Sequence, residues 1–220
     1  MLLYLLHFFS PLLKLLTKIY TAKERKYSYK GINIIVKPGV FHPGLFFSTK
    51  ILLNFIEGLE LKDQSFLELG AGSGIISIYA AQKGAQVTTT DISKIAVDNI
   101  INNVKKNDVE VEIIHSNLFE NIRFKKFDYI IINPPYYSKT PISEKDYAWY
   151  CGNDFEFFRS LFNTVSNYII ESSKIFMILS EDCDIITIKN IAKKDGYILN
   201  DILSVKKWGE RNTIFSLIKD

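Results

Sequence analysis

The sequence predicts an α/β domain built on a doubly wound, mostly parallel sheet that ends in an antiparallel hairpin. Over residues 65–196, short strand-length apolar segments alternate with longer segments of helical periodicity, the pattern of strand–helix–strand units. "FDYIIIN" (127–133) is apolar without alternation, as a parallel strand covered on both faces should be. The last two strand-like segments, 197–207 and 208–220, have only a turn near 207–210 between them. A connection that short joins antiparallel neighbours. With 220 residues, 47% hydrophobic and 23% charged, the chain can build one sizeable core.

The elements follow in order. "YSYKGINIIVKPG" (27–39) alternates apolar and polar residues around Lys30-Gly31 and predicts a hairpin. "STKILLNFIEGLEL" from Ser48 predicts a helix with Gly58 near its end. "SFLELG" (65–70) is a buried strand, and "GIISIYAAQKG" (74–84) a helix closed by Gly84. "AQVTTTD" (85–91) is a strand, and "SKIAVDNIINNVKKN" (93–107) a helix capped by Ser93. Strands over 109–116, 127–133 and 173–180 and helices over 154–169 and 184–196 complete the alternation. Seven strands therefore make the sheet. The chain divides into an extension over 1–40, a helix and a hairpin, and a main domain over 41–220.

The first twenty residues, "MLLYLLHFFSPLLKLLTKIY", are strongly apolar. They lack the basic start and small-residue cleavage site of a signal peptide. Ser10-Pro11, Lys14 and Lys18 interrupt them short of the roughly 20 apolar residues a membrane span needs. The expectation is a helix packed on the domain, on a second copy or on a small partner protein, without membrane contact. Lys14, Lys18, Lys23, Arg25, Lys26 and Lys30 face only Glu24 in this region, although the whole chain carries just +3. Such a segment is a solvated basic face or a contact surface for RNA. Cys151 and Cys183 have no metal-ligand spacing and are expected as reduced thiols in the cytoplasm. His7, His42 and His115 are scattered, and no metal site is expected.

Two stretches carry chemistry. "LELGAGSG" (67–74) places glycines between a strand and its helix, where the backbone must turn tightly and let a ligand approach. Glu68 precedes the first glycine, and Asp91 ends the next strand, where a carboxylate can accept both hydroxyls of a ribose. No G-K-[ST] follows, so the loop does not suit a triphosphate, and the carboxylates suit a ligand with a positive amino or sulfonium group. "IINPPYYSK" (131–139) ends a buried strand in two prolines, which donate no backbone hydrogen bonds and hold Asn133 in a stiff, non-helical turn.

With the E-x-G-x-G-x-G loop, Asp91 and N-P-P-Y at 133–136, the chain resembles class I S-adenosylmethionine (SAM)-dependent methyltransferases over about residues 40–219. Those have a Rossmann-like seven-stranded sheet, and the resembling subset methylates planar amino or amide nitrogens. The resemblance implies that Asn133 and the Pro134 carbonyl accept the hydrogens of the target NH2 while Tyr136 packs on its flat face. It places Glu68, Gly70, Gly72, Gly74, Asp91, Ile92, Asn117 and Asn133 around the cofactor. Asn117 stands where the family often has Asp. Whether Tyr136 or Tyr137 faces the substrate stays open.

"YAWYCGNDFEFFRSLF" (147–162) is similar to the stretch that follows N-P-P-Y in the HemK/PrmC type, with Gly152, Asp154 and Arg159 as counterparts and Asn153 replacing a second glycine. That type methylates a glutamine of release factors. Its bacterial members have a helical N-terminal domain, which the first forty residues do not resemble. The implied acceptor is a protein glutamine. Adenine N6 or guanine N2 in RNA or DNA is the alternative, and a SAM-binding scaffold without catalysis a third.

Overall fold

The structure is a computed structural model that describes residues 16–17, 19–207 and 209–220. The apolar helix expected over residues 1–20 lies mostly outside the described residues.

The chain enters through a hairpin of β1 (Arg25–Tyr29) and β2 (Ile32–Val36). Its two-residue turn has φ 50° at Lys30 and 80° at Gly31, the left-handed pair that matches the twist of adjoining strands. Then come α1 (Phe47–Ile56), β3 (Ser65–Leu69), α2 (Ile75–Gln82), β4 (Gln86–Asp91), α3 (Lys94–Lys106) and β5 (Glu112–His115). After β6 (Tyr129–Ile132), a 3-10 turn at Glu144–Ala148 precedes α4 (Glu156–Val165). The chain ends with β7 (Lys174–Ser180), α5 (Ile185–Lys194), β8 (Tyr197–Lys207) and β9 (Glu210–Lys219). The expected strand over 109–116 is shorter, because Val109 and Val111 pack against the core beside α3 before the ladder to β4 begins at Glu112.

The main sheet has the order β5-β4-β3-β6-β7-β9-β8. Neighbours are parallel from β5 to β7, and β9 runs antiparallel to both β7 and β8, as the sequence predicts. Successive strands step outward from β3 to β5, and the chain then returns to the other side of β3. That reversal opens a crevice above the carboxyl ends of β3 and β6. Leu69 pairs with both Thr90 and Ile132, so Gly70, Asp91 and Asn133 leave the sheet side by side.

Both faces of the sheet are covered at β3 and β6. Phe66, Tyr129 and Ile131 point into a core shared with β2, α1, α2 and α3. Leu67, Leu69, Ile130 and Ile132 point into a second core with Phe158 and Phe162 of α4 and Ile188 of α5. The alternation along β3 and β6 is the strand period of two with both faces apolar.

The hairpin is fastened by asparagines. Asn99, Asn103 and Asn107 recur every fourth residue along one face of α3 and its C-cap. Four helical residues rise about 6 Å, close to the roughly 6.6 Å of two strand residues. The three side chains therefore meet Lys37, Ile35 and Asn33 in turn. Asn99 Oδ1 accepts from Lys37 N at 2.8 Å, and its Nδ2 donates to Ile35 O at 2.7 Å. Asn103 Oδ1 accepts from Ile35 N at 2.8 Å, while Nδ2 donates to the Ile35 and Ser73 carbonyls at 2.9 Å. Asn107 exchanges hydrogen bonds with Asn33 N and O at 3.0 and 2.9 Å. A helix thus satisfies strand-edge groups that would otherwise lack partners.

Replacing Asn103 with Ala leaves the Ile35 N–H and the Ser73 carbonyl without this partner in a buried setting. We expect a loss of about 2–4 kcal/mol in unfolding free energy, measured by urea titration with an unchanged slope.

Candidate active site

The glycine loop after β3 is a chain of left-handed turns, with φ of 70°, 55° and 77° at Gly70, Gly72 and Gly74. At Gly74 a Cβ would also crowd α3, standing 3.0 Å from Ile100 Cγ2. The Gly70 and Ala71 amides donate to the Thr90 carbonyl at 2.9 and 3.0 Å, which lashes the loop to the end of β4.

Two buried carboxylates stand beside this loop. Asp91 Oδ2 accepts from Gly72 N at 2.8 Å and Oδ1 from Ser93 N at 2.9 Å. Burial raises its pKa, and the backbone hydrogen bonds from Ser93 and Gly72 oppose that rise. Each oxygen keeps acceptor capacity for a ligand hydroxyl. Glu68 is 4% exposed and accepts from both the amide and the hydroxyl of Ser77 in α2. Burial pushes its pKa up to about 8, against the lowering effect of Ser77.

Asn133 emerges from β6 directly across from this loop. Its Nδ2 donates to Ser48 Oγ at 3.4 Å, and its Oδ1 accepts from the Tyr136 hydroxyl at 3.1 Å. Burial drives the Tyr136 pKa far upward, so the phenol keeps its proton. Tyr136 is therefore tied to Asn133 through its hydroxyl. Tyr137 is half exposed, and its backbone joins the strand-like pairing with Tyr150, donating to Trp149 O and accepting from Cys151 N, both at 2.9 Å. Asn117 Nδ2 donates to Glu120 Oε1 at 2.8 Å, which turns its amide oxygen to the free side, and Ile92 holds His115 Nε2 at 2.8 Å on its carbonyl.

A cavity of about 510 Å³ joins these groups. Glu68, Gly70, Gly72, Asp91, Ile92, Asn117, Asn133, Pro134 and Tyr136 all line it. Gly74 does not, and serves the packing of the loop on α3. Gly152 also lines it, whereas Asp154 and Arg159 form an exposed pair at 3.0 Å that closes the turn into α4.

The sequence reading missed much of the wall. Thr49 lines the cavity, and Ser48 stands behind Asn133. Phe41, Phe46 and Trp149 form an aromatic cluster with centroids 4.7 to 5.4 Å apart. Glu144 reaches Ser93 Oγ at 3.5 Å, so the segment after N-P-P-Y closes over the loop that follows β4. Trp149 was legible as part of the stretch "YAWYCG"; the other contacts join distant segments and leave no local signal.

A doubly wound sheet with a glycine loop, a ribose-competent acid and an amide at its switch point is the layout of a nucleoside-cofactor site. The chain belongs to the methyltransferase small domain family, whose model matches residues 31–148. A relative from Methanocaldococcus jannaschii, named as a protein N5-glutamine methyltransferase, is 38% identical over 53% of this chain and 56% of its own length. A ribosomal protein L11 methyltransferase of Thermosipho melanesiensis is 41% identical over 48% of this chain and 43% of its own. A ribosomal RNA small subunit methyltransferase C of Buchnera aphidicola is 28% identical over 77% of this chain and 48% of its own. The chain thus spans little more than half, or less, of these relatives.

Among solved structures, the T. thermophilus 16S rRNA N2 G1207 methyltransferase superposes with a TM-score of 0.63 at 16% identity, covering 88% of this chain and 50% of that one. A methyltransferase from Pyrococcus furiosus gives 0.61 at 22% identity, covering 94% and 98%. These likenesses establish the class I methyltransferase fold.

S-adenosylmethionine is the cofactor of this family, and the site's chemistry fits it. Asp91 would offer acceptors for two ribose hydroxyls, Ile92 and Leu118 an apolar wall, Asn117 an amide oxygen for an amino group, and Glu68 a carboxylate for a cationic end.

Glu68 makes this fit pH-dependent. Its folded pKa lies above the unfolded 4.5, so its effect on the stability of the free protein is favourable at low pH and is lost as pH rises from about 4.5 to about 8. A cationic ligand needs the ionised form, so SAM affinity should rise over the upper part of that window. Calorimetric titration with SAM and thermal unfolding of the free protein should show these opposite trends, and Glu68→Gln should flatten both.

Proposed function

We propose that this protein transfers a methyl group from S-adenosylmethionine to the side-chain amide nitrogen of a protein glutamine. When bound, the cofactor supplies a methyl group activated by its sulfonium. Asn133 Oδ1 and the Pro134 carbonyl accept the two hydrogens of the acceptor NH2. That orients the nitrogen lone pair toward the glycine loop, and rate enhancement comes from positioning and electrostatics. Oδ1 keeps one lone pair for this purpose beside the Tyr136 hydroxyl.

The observation that carries the choice of acceptor is the charge of the wall. Glu68, Asp91, Glu144, Glu156, Asp182 and Glu210 line the cavity, and no Lys, Arg or His does among the described residues. A target base brings phosphates on both sides, and nucleic-acid binding depends on cations that meet them. A neutral amide brings none. Two cations of the basic N-terminal region are engaged within the chain. Lys30 is paired with Glu57, and the Arg25 guanidinium lies 4.2 Å from the Tyr20 ring while donating to the Tyr20 carbonyl.

The second reading is a base amine in RNA, favoured by the long match to the relative named as a ribosomal RNA methyltransferase. A catalytically silent scaffold is disfavoured by the amide and phenol still joined at 133–136.

Labelled methyl from SAM, offered with fractionated lysate of cells lacking the protein, separates the two enzyme readings. Label lost to protease and resistant to ribonuclease supports glutamine, and label lost to ribonuclease overturns it. Asn133→Ala should lower turnover on the order of 100-fold while SAM affinity stays within about 2-fold. A large loss of SAM affinity would place Asn133 in cofactor binding instead.

A further inference from the structure

An Asn side chain ends in a rotor. The torsion that sets its amide plane is broad and roughly two-fold, so nothing in Asn133 itself decides where its oxygen points. Methyl transfer needs one orientation, with an Oδ1 lone pair facing the acceptor. Both ends of this amide meet a hydroxyl. At the nitrogen end stands Ser48 Oγ at 3.4 Å, and at the oxygen end the Tyr136 hydroxyl at 3.1 Å. Two hydrogen bonds at opposite ends define the plane, as one alone does not.

Ser48 is 1% exposed and sits in the first turn of α1, on a segment that the hairpin delivers to the site. It does not cap this helix, whose N-cap is Phe46. Its hydroxyl also acts on the Tyr136 phenol, opposing the rise that burial causes, so Ser48, Asn133 and Tyr136 form one interacting group.

We propose that Ser48 is a positioning residue for methyl transfer: by accepting from Asn133 Nδ2 it holds the amide plane in the orientation that presents Oδ1 to the acceptor nitrogen. The proposal rests on the reading of Asn133 above, though not on whether that nitrogen belongs to glutamine or to a base. Ser48 itself touches neither the cofactor nor the acceptor in this account. A freed amide would sample unproductive orientations, and small misplacements at a reacting centre lower rates by one to two orders of magnitude.

The test combines kinetics with a direct view of the amide. Transfer of labelled methyl would be measured with two probes, a glutamine-containing peptide and a single-stranded RNA oligomer. Ser48→Ala should lower kcat about 10-fold with the KM for SAM unchanged, and Ser48→Thr, which keeps the hydroxyl, should recover most of it. In an Asn133→Ala background, Ser48→Ala should change the rate less than about 2-fold, because the amide it positions is gone.

In parallel, the side-chain NH2 resonances of Asn133, identified by their loss in Asn133→Ala, should move in Ser48→Ala toward those of an amide without a fixed partner. This readout needs no methyl acceptor and would not respond to a purely structural role. Unmoved resonances, or equal losses in both backgrounds, would overturn the proposal. Label entering the RNA rather than the peptide would sink the glutamine reading and leave the Ser48 comparison in force.

Discussion

Asp91 holds two pieces of backbone at once. One carboxylate oxygen takes the Gly72 amide and the other the Ser93 amide, so the loop after β3 and the start of α3 are built on a single side chain. The rest of the site is ordered outward from there. The direction of α3 sets the row of Asn99, Asn103 and Asn107, and that row fixes the β2 edge. The hairpin then delivers Phe41, Phe46 and Ser48 to the far side of the cavity. Asn103 closes the circuit by bonding the Ser73 carbonyl of the glycine loop. The acid expected to read a ribose is therefore also the anchor from which the substrate wall is hung.

A carboxylate can serve both purposes because its acceptor capacity exceeds what two backbone amides use. Removing it from water is costly, and the raised pKa values of Asp91 and Glu68 record that cost. A cationic ligand offsets it. The two carboxylates thus suit a positive partner, and their charge favours a sulfonium and an ammonium over a phosphate.

The segment between β6 and α4 shows how a loop can be both irregular and stiff. Pro134 and Pro135 set its start. Tyr137 pairs with the backbone at Trp149 and Cys151, so the intervening residues form a closed flap. Within it, Ser143 and Asp146 make a reciprocal capping box. Trp149 packs on Phe41 and Phe46, and Glu144 meets Ser93. The flap therefore touches both the hairpin side and the loop that follows β4.

The sequence by itself determined the sheet, the glycine turn, Asp91 and the proline-stiffened Asn133. Each of these is written in neighbouring residues: apolar runs of strand length, glycines where φ must be positive, prolines that end a strand. The Lys30-Gly31 turn was legible for the same reason. Only the tertiary structure decided the partners. Ser48 and Asn133 are 85 residues apart, Ile35 and Asn103 68, and Ser93 and Glu144 51. A serine near a helix start reads locally as a cap, and asparagines in a helix read as its polar face. Their roles depend on which strand edge and which amide the folded chain brings against them, because a hydrogen bond is set by position and direction in space.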